Sequence, residues 1–177
     1  MNISVSAQTT SADPEAPARK PLTLLSLPKL APVKWTGPDG KEIKLRGQLA
    51  FAVTQANEDD TLTGWMLYLL PDEQRELLAK HTEQPVKSIP PYLMQTNVAA
   101  SWMKDTSCPS PKIETNALAF EILGGKIHFN RATLEFRETQ DYLPQLVCHW
   151  TRQLNTRKQR RSIIAAINRA LTGGDPE

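Results

Sequence analysis

The chain has only two cysteines among its 177 residues, Cys108 and Cys148, and they stand far apart. A disulfide framework or a zinc knuckle needs more cysteines at closer spacing, so both are predicted to be free thiols. The longest apolar run, WMLYLL, is too short to span a membrane, and the first twenty residues lack the basic and apolar regions of a secretory signal. These absences predict a cytoplasmic protein with no membrane partner.

Sequence signatures of catalysis are missing as well. The chain contains no G-x-x-x-x-G-K-[ST], no G-x-G-x-x-G and no G-x-S-x-G. The histidines, His81, His128 and His149, do not stand at metal-ligand spacing from one another or from the cysteines. Cys148 and His149 are neighbours on a predicted helix, where they point about 100° apart and cannot form a thiolate–imidazole pair. We therefore predict no catalytic residue, no metal site and no cofactor, and we expect that the protein is not an enzyme.

The length predicts one domain preceded by a tail and an arm, which together cover residues 1–30. The first 21 residues are rich in Ser, Thr, Ala and Pro without any hydrophobic period, so we expect a disordered tail. In PLTLLSLPKLAP, the leucines from Leu22 to Leu30 stand among prolines that favour extended backbone. This segment is interpreted either as an arm across the domain's own surface or as a docking segment for a protein partner. Residues 31–177 are predicted to form a single α+β domain.

Turn and strand signals predict a small antiparallel sheet with hairpins. VKWTGPDGKEIKL has turn chemistry at Pro38–Gly40. QLAFAVTQ and GWMLYLL are strand candidates on either side of a polar loop that contains Asp59 and Asp60, although a helix over Leu49–Ala56 is an open alternative. Residues 117–136 are predicted to form a hairpin with Gly124-Gly125 at or near its turn.

Two helices are predicted in the middle of the chain. Pro71, followed by carboxylates at residues 72 and 73, is typical of a helix start, and this helix is expected to extend through about Lys80. YLMQTNVAASWMKD is also predicted to be a helix, because its apolar residues stand near helical spacing: Leu93, Val98 and Trp102. With the hairpins and two consecutive helices at the C-terminal end, the predicted fold class is α+β, with a small sheet and several helices.

Basic residues are concentrated near the C-terminal end. Between Tyr142 and Gly174 there are six cationic side chains and no Asp or Glu: Arg152, Arg157, Lys158, Arg160, Arg161 and Arg169. The first 141 residues contain 15 basic and 17 acidic residues, which gives them a net charge of −2. This asymmetry favours an anionic partner for the basic segment, and a solvated basic helix is the competing interpretation.

Two apolar stripes predict two consecutive helices in this segment. The first stripe is Leu143, Leu146, Val147, Trp150 and Leu154, and the second is Ile163, Ile164, Ile167 and Leu171. The second is rotated roughly 100° from the first, so an unbroken helix would bury Arg157 and Arg161, which is expensive for unpaired charge. A break is predicted before Thr156, which can form a capping box with Gln159, and Gly173 is expected to close the second helix.

The polarity of the second helix leads to the functional prediction. Four of its cations lie in the first turn and a half, where the helix dipole favours carboxylates. Cationic side chains beside the free N–H groups of a helix N-terminus are suited to phosphate. We therefore predict a nucleic-acid-binding accessory or regulatory protein that contacts DNA or RNA phosphates through the six cations. No aromatic residue interleaves the cluster, which counts against a stacking platform for single strands.

An interaction with another protein is the alternative function. In this interpretation the chain is a non-enzymatic adaptor or inhibitor that docks on an acidic partner through Leu22 to Leu30 or through the basic helix. Dimerisation of the body with a second copy is compatible with either function.

Overall fold

The computed structural model describes residues 23–103, 110–136, 146–147, 150 and 156–173. The largest part of the described structure is one antiparallel sheet of nine strands. The strands are β1 (Leu24–Leu25), β2 (Lys29–Thr36), β3 (Glu42–Ala56), β4 (Thr61–Leu69), β5 (Tyr92–Trp102), β6 (Lys112–Thr115), β7 (Leu118–Ile122), β8 (Gly125–Phe129) and β9 (Ala132–Glu135). The helices whose bounds lie in the described residues are α1 (Asp72–Thr82), a 3-10 turn at Val86–Ser88, and α2 (Arg157–Thr172).

The sheet is curled around its long central strands. Its order is β7-β8-β2-β3-β4-β5-β6-β9, and β1 also pairs with β3. The curl brings the arm close to the edge strand β9. There the N–H of Leu27 donates to the carbonyl of Glu135 at 2.7 Å. From Leu24 onward the Leu-rich segment is therefore part of the sheet, whereas residues 1–22, where the disordered tail is predicted, lie outside the described residues.

The predicted fold of a small sheet with several helices is wrong, mainly because Tyr92–Trp102 of the segment YLMQTNVAASWMKD forms β5. A β-bulge explains the error. Thr96 and Asn97 together oppose one residue of β4, and Asn97 takes a left-handed conformation with φ of 56°. The extra residue reverses which alternate positions point inward, so buried Leu93 is followed by buried Val98. As a result, the apolar residues of this strand stand near the spacing that is typical of a helix.

Several local predictions for the sheet are confirmed. A turn at residues 38–40 connects β2 to β3, and QLAFAVTQ lies in β3, so the helical alternative for Leu49–Ala56 is wrong. GWMLYLL lies in β4, apart from its final leucine. The β7–β8 hairpin turns at Leu123 and Gly124, with φ of 52° and 72°, and Gly125 is the first residue of β8. The last part of the segment predicted as a hairpin, β9, pairs with β6 instead.

The helix boundaries also agree with the sequence where they are described. α1 begins at Asp72 after Pro71. α2 has Thr156 as its N-cap in a capping box with Gln159, and Gly173 ends it in the left-handed conformation. Residues 146, 147 and 150 of the preceding predicted helix are helical, but most of that helix and the predicted break lie outside the described residues. Cys108, Cys148 and His149 are outside them as well.

The core fills the concave side of the sheet. The rings of Tyr68 and Phe129 meet edge to face with centroids 5.0 Å apart, and the Trp35 indole donates to the carbonyl of Ile122 at 3.1 Å. Burial raises the pKa of Tyr68 to about 12, so its hydroxyl is neutral at ordinary pH. α2 contributes buried Ile167 to the same core. In the described part of the chain, neither long helix has the length and apolarity to cross a membrane.

Candidate interaction surfaces

The basic cluster lies at the N-terminal end of α2, against the loop between β3 and β4. Nη2 of Arg160 lies 2.8 Å from Oδ2 of Asp60. Nε and Nη2 of Arg161 each lie 3.3 Å from Oε2 of Glu58. Since all four side chains are partly exposed, each pair contributes roughly 0–1 kcal/mol of stability. Two of the predicted phosphate contacts are thus engaged with carboxylates of the same chain.

The β3–β4 loop is held in shape by its own polar side chains. The carboxylate of Asp59 accepts from the N–H and the hydroxyl of Thr61, at 3.2 and 2.6 Å. Both hydrogen bonds lower the pKa of Asp59, and the bond from the Thr61 hydroxyl has the larger effect. The amide of Asn57 donates to the hydroxyls of Thr61 and Thr63. The loop predicted around Asp59 and Asp60 is confirmed, and these hydrogen bonds help to hold in place the neighbouring carboxylates that face α2.

The side-chain amide of Asn168 attaches the C-terminal half of α2 to the end of β3. Oδ1 of Asn168 accepts from the N–H of Ala56 at 2.7 Å, and Nδ2 of Asn168 donates to the carbonyl of Ala56 at 2.9 Å. Ala56 is buried, so water cannot easily replace these bonds. The orientation of α2 on the sheet is therefore set by polar contacts at both ends and by apolar packing between them.

The remaining predicted site residues have different environments. Arg157 and Lys158 are exposed, and no carboxylate of the described chain lies within ion-pair distance of either. A cavity of about 360 Å³ at this helix end is lined partly by Arg157 and by both paired arginines. Arg169 is half-buried farther along α2, and Arg152 lies outside the described residues. Among the cations that the structure describes, Arg157 and Lys158 are therefore exposed and available to an anion.

A second surface is the convex side of the sheet, where apolar residues line up across strands. Residues paired in register lie side by side on one face. Three rows result: Leu25 beside Ala52 and Trp65, Ala50 beside Leu67 and Met94, and Leu30 beside Gln48, Leu69 and Tyr92. We call these ten residues, nine apolar ones and Gln48, the apolar face; Ala50 among them is buried. Sequence reasoning missed it, partly because two of its residues lie in the segment predicted as a helix.

The large side chains of the apolar face are well exposed. Trp65 is 45% exposed, Tyr92 49% and Met94 50%. The two leucines of the arm are also exposed, Leu25 at 46% and Leu30 at 65%. Isolated exposed apolar residues are ordinary, but a contiguous set with Trp, Tyr and Met has the composition of a protein interface. The arm contributes to this set directly.

A groove with several cations continues the convex side beyond the apolar face. It has a volume of about 620 Å³, and its polar lining residues are Lys34, Thr36, Glu42, Lys44, Arg46 and His128. Lys34 is paired with Glu42 at 2.7 Å. Within the described residues, no carboxylate lies at ion-pair distance from Lys44 or Arg46. We call this site the basic groove.

The remaining described histidine, His81, packs edge to face against Trp35, with ring centroids 5.8 Å apart. It lines a separate cavity of about 450 Å³ with Asp39 and Glu83. Among the residues with described positions, no three His, Cys, Asp or Glu side chains are grouped as metal ligands. Comparisons with protein-family models, with curated proteins and with solved structures found no match for this chain.

Proposed function

We propose that the protein is a non-enzymatic interaction module, an adaptor or inhibitor, that docks on an acidic protein through the apolar face. The observation that supports this function most directly is that Leu25, Trp65, Met94 and Tyr92, which lie on β1, β4 and β5 of one sheet face, are all about half exposed. The proposed site of action is the cytoplasm, in keeping with the low cysteine content.

The composition of the apolar face fits the centre of an interface. Trp and Tyr are the residues that most often dominate binding energy, and Met adapts to an irregular partner surface. Strands lie about 4.8 Å apart and outward residues about 6.8 Å apart along a strand, so the rows cover on the order of 14 by 14 Å. This is smaller than the roughly 800 Å² that each partner buries in a standard interface, so neighbouring residues must contribute too.

The charges beside the apolar face favour an acidic partner over a second copy of this chain. The nearest outward cations on β3, Arg46 and Lys44, have no carboxylate of the described chain within ion-pair distance. A second copy docked through the same face would bring the same cations to the interface, where like charges repel. A different protein can bring carboxylates to this position without adding those cations.

The double variant Trp65→Thr with Met94→Thr is expected to abolish docking without unfolding the sheet, because Thr retains a high strand propensity. Immobilised wild type should retain from nuclease-treated lysate a protein that the double variant does not retain. With that protein purified, the dissociation constant measured by calorimetry should rise at least about 30-fold, as for loss of an aromatic hot spot. The matched control is Leu77→Gln, which removes an exposed apolar residue from α1.

Three outcomes would overturn this function. One is that wild type retains no protein, and another is that the double variant and the control retain the same proteins equally. The third is found by sedimentation: if wild type dimerises and Trp65→Thr with Met94→Thr is monomeric, the apolar face belongs to a second copy.

Nucleic-acid binding is the second candidate, and it is favoured by the exposed Arg157 and Lys158 at the N-terminus of α2. With four phosphate contacts, the logarithm of the binding constant would fall with the logarithm of salt concentration at a slope near −3.6. Because Arg160 and Arg161 are paired with carboxylates, we expect a slope of about −1.8 from the remaining two cations.

The test is binding of mixed-sequence duplex DNA and of RNA at several salt concentrations. Arg157→Gln with Lys158→Gln should remove the salt-dependent part, and stability should change little because Gln is a good helix former. If wild type binds neither nucleic acid, or if the variant has the same slope as wild type, this second function is rejected.

A further inference from the structure

Two lysines face each other across neighbouring strands in the basic groove. Lys34 of β2 is the register partner of Lys44 of β3, so their side chains lie on the same face. Like charges directly opposite each other destabilise a sheet. Glu42 offsets one of them through its 2.7 Å contact with Lys34. No carboxylate that the structure describes lies at ion-pair distance from Lys44 itself.

A third cation extends this charge toward the apolar face. Arg46 is the next outward residue of β3 after Lys44, and Gln48, which belongs to the apolar face, is the next after that. His128 lines the far side of the groove from β8. The positive charge and the apolar rows are thus consecutive parts of one convex surface, with no element between them along β3.

We infer that the basic groove receives the carboxylates of an acidic, extended segment of the protein partner whose apolar side chains cover the apolar face. This inference rests on the proposed function and specifies the chemistry of the partner. Arg46 can hold one carboxylate through two parallel N–H bonds, and Lys44 acts as a point charge for a second. The carboxylates thereby remove the cross-strand repulsion that Glu42 only partly offsets.

The surroundings of the groove favour a peptide over a nucleic acid. Leu30 and Pro32 are outward residues of the adjoining strand, and the surface continues with the apolar rows rather than with more cations. Alternate residues of an extended peptide are about 6.8 Å apart, the same as the spacing of Lys44 and Arg46 on their strand. An acidic segment in extended conformation can therefore place successive outward carboxylates over successive cations.

Binding of two synthetic probes tests this inference. The first is a fluorescein-labelled peptide of alternating Glu and Leu, and the second has Gln in place of each Glu. At low ionic strength the wild-type protein should bind the Glu peptide about tenfold more tightly than the Gln peptide. Lys44→Gln with Arg46→Gln should remove this preference. Arg157→Gln with Lys158→Gln, which removes the same charge from α2, should leave it unchanged.

A zero-length carbodiimide cross-link provides an independent measurement. Mass spectrometry should find the Glu peptide joined to Lys44 or Lys34, and Trp65→Thr with Met94→Thr should weaken binding of both peptides. If the Glu peptide has no advantage over the Gln peptide, or if the α2 variant removes it as strongly as the groove variant, the inference is overturned. A preference of the groove for duplex DNA over the Glu peptide, of the same size as that expected for the Glu peptide over the Gln peptide, would also overturn it.

The two proposals fail in different ways. If Trp65→Thr with Met94→Thr prevents retention of the protein partner while Lys44→Gln with Arg46→Gln has no effect on either probe, the docking function stands and the acidic segment is rejected. If the variant of the apolar face has no effect on the partner, the docking function itself is rejected.

Discussion

Replacing Gly125 by alanine is expected to lower the free energy of unfolding by about 3 kcal/mol, at the upper end of the range for overpacked cores. A Cβ atom at this position would lie 2.5 Å from both Cζ2 and Nε1 of Trp35. The indole is buried, and its N–H is committed to the carbonyl of Ile122, so it cannot move away without losing that bond. Urea denaturation followed by tryptophan fluorescence measures the change.

Gly40→Ala is the matched control for this substitution. Gly40 has a φ of 78° and no atom within 4 Å of an added Cβ, so only the left-handed backbone opposes alanine there. We expect a loss of about 1 kcal/mol for it. If Gly125→Ala is no more destabilising than Gly40→Ala, the indole of Trp35 does not pack against this glycine as the structure has it.

The second large effect is expected for Asn168→Ala, at about 3 kcal/mol of lost stability. The substitution leaves the N–H and the carbonyl of buried Ala56 without their partners, and each unsatisfied buried group costs about 1–3 kcal/mol. The higher helix propensity of alanine returns only a few tenths of a kcal/mol. The same urea titration measures this loss, and hydrogen exchange at Ala56 reports whether its amide becomes unprotected.

Thr172→Ala provides the comparison on the same helix. The hydroxyl of Thr172 bonds only to carbonyls of the preceding turn and is exposed, so its loss should change stability by less than about 0.5 kcal/mol. Equal effects at positions 168 and 172, or continued protection of the Ala56 amide in Asn168→Ala, would contradict the role given to Asn168.

Local signals predicted the elements whose boundaries depend on neighbouring residues. The N-cap at Thr156, the C-terminal glycine at residue 173 and the hairpin turn near Gly124 all follow from backbone chemistry within a few positions. The strand β5 was mistaken for a helix because its bulge at Asn97 interrupts the alternation on which strand prediction depends. Nothing in the sequence alone places an extra residue there, since the bulge is defined by pairing with β4.

The candidate surfaces depended on longer-range information. The cations of α2 are visible in the sequence as a cluster, but the pairing of two of them with Glu58 and Asp60 joins segments about a hundred residues apart. The apolar face had one weak signal: residues 65–70 are apolar on both sides of the predicted strand, whereas a strand with one solvated side should alternate. That pattern does not distinguish a strand buried on both faces from a strand with one exposed apolar face. It also does not indicate which residues lie beside the strand.

The contact between Asn168 and Ala56 also orders events during synthesis. The two residues are 112 positions apart, so at about 5–20 residues per second the ribosome adds Asn168 roughly 6–22 s after Ala56. All nine strands precede α2 in the chain, and the polar groups of Ala56 must be hydrated by water during that interval. A nascent chain arrested before residue 156 should therefore expose the end of β3 to proteases and chaperones. Once the C-terminal helix has left the ribosome, it covers the end of β3 and ends this exposure.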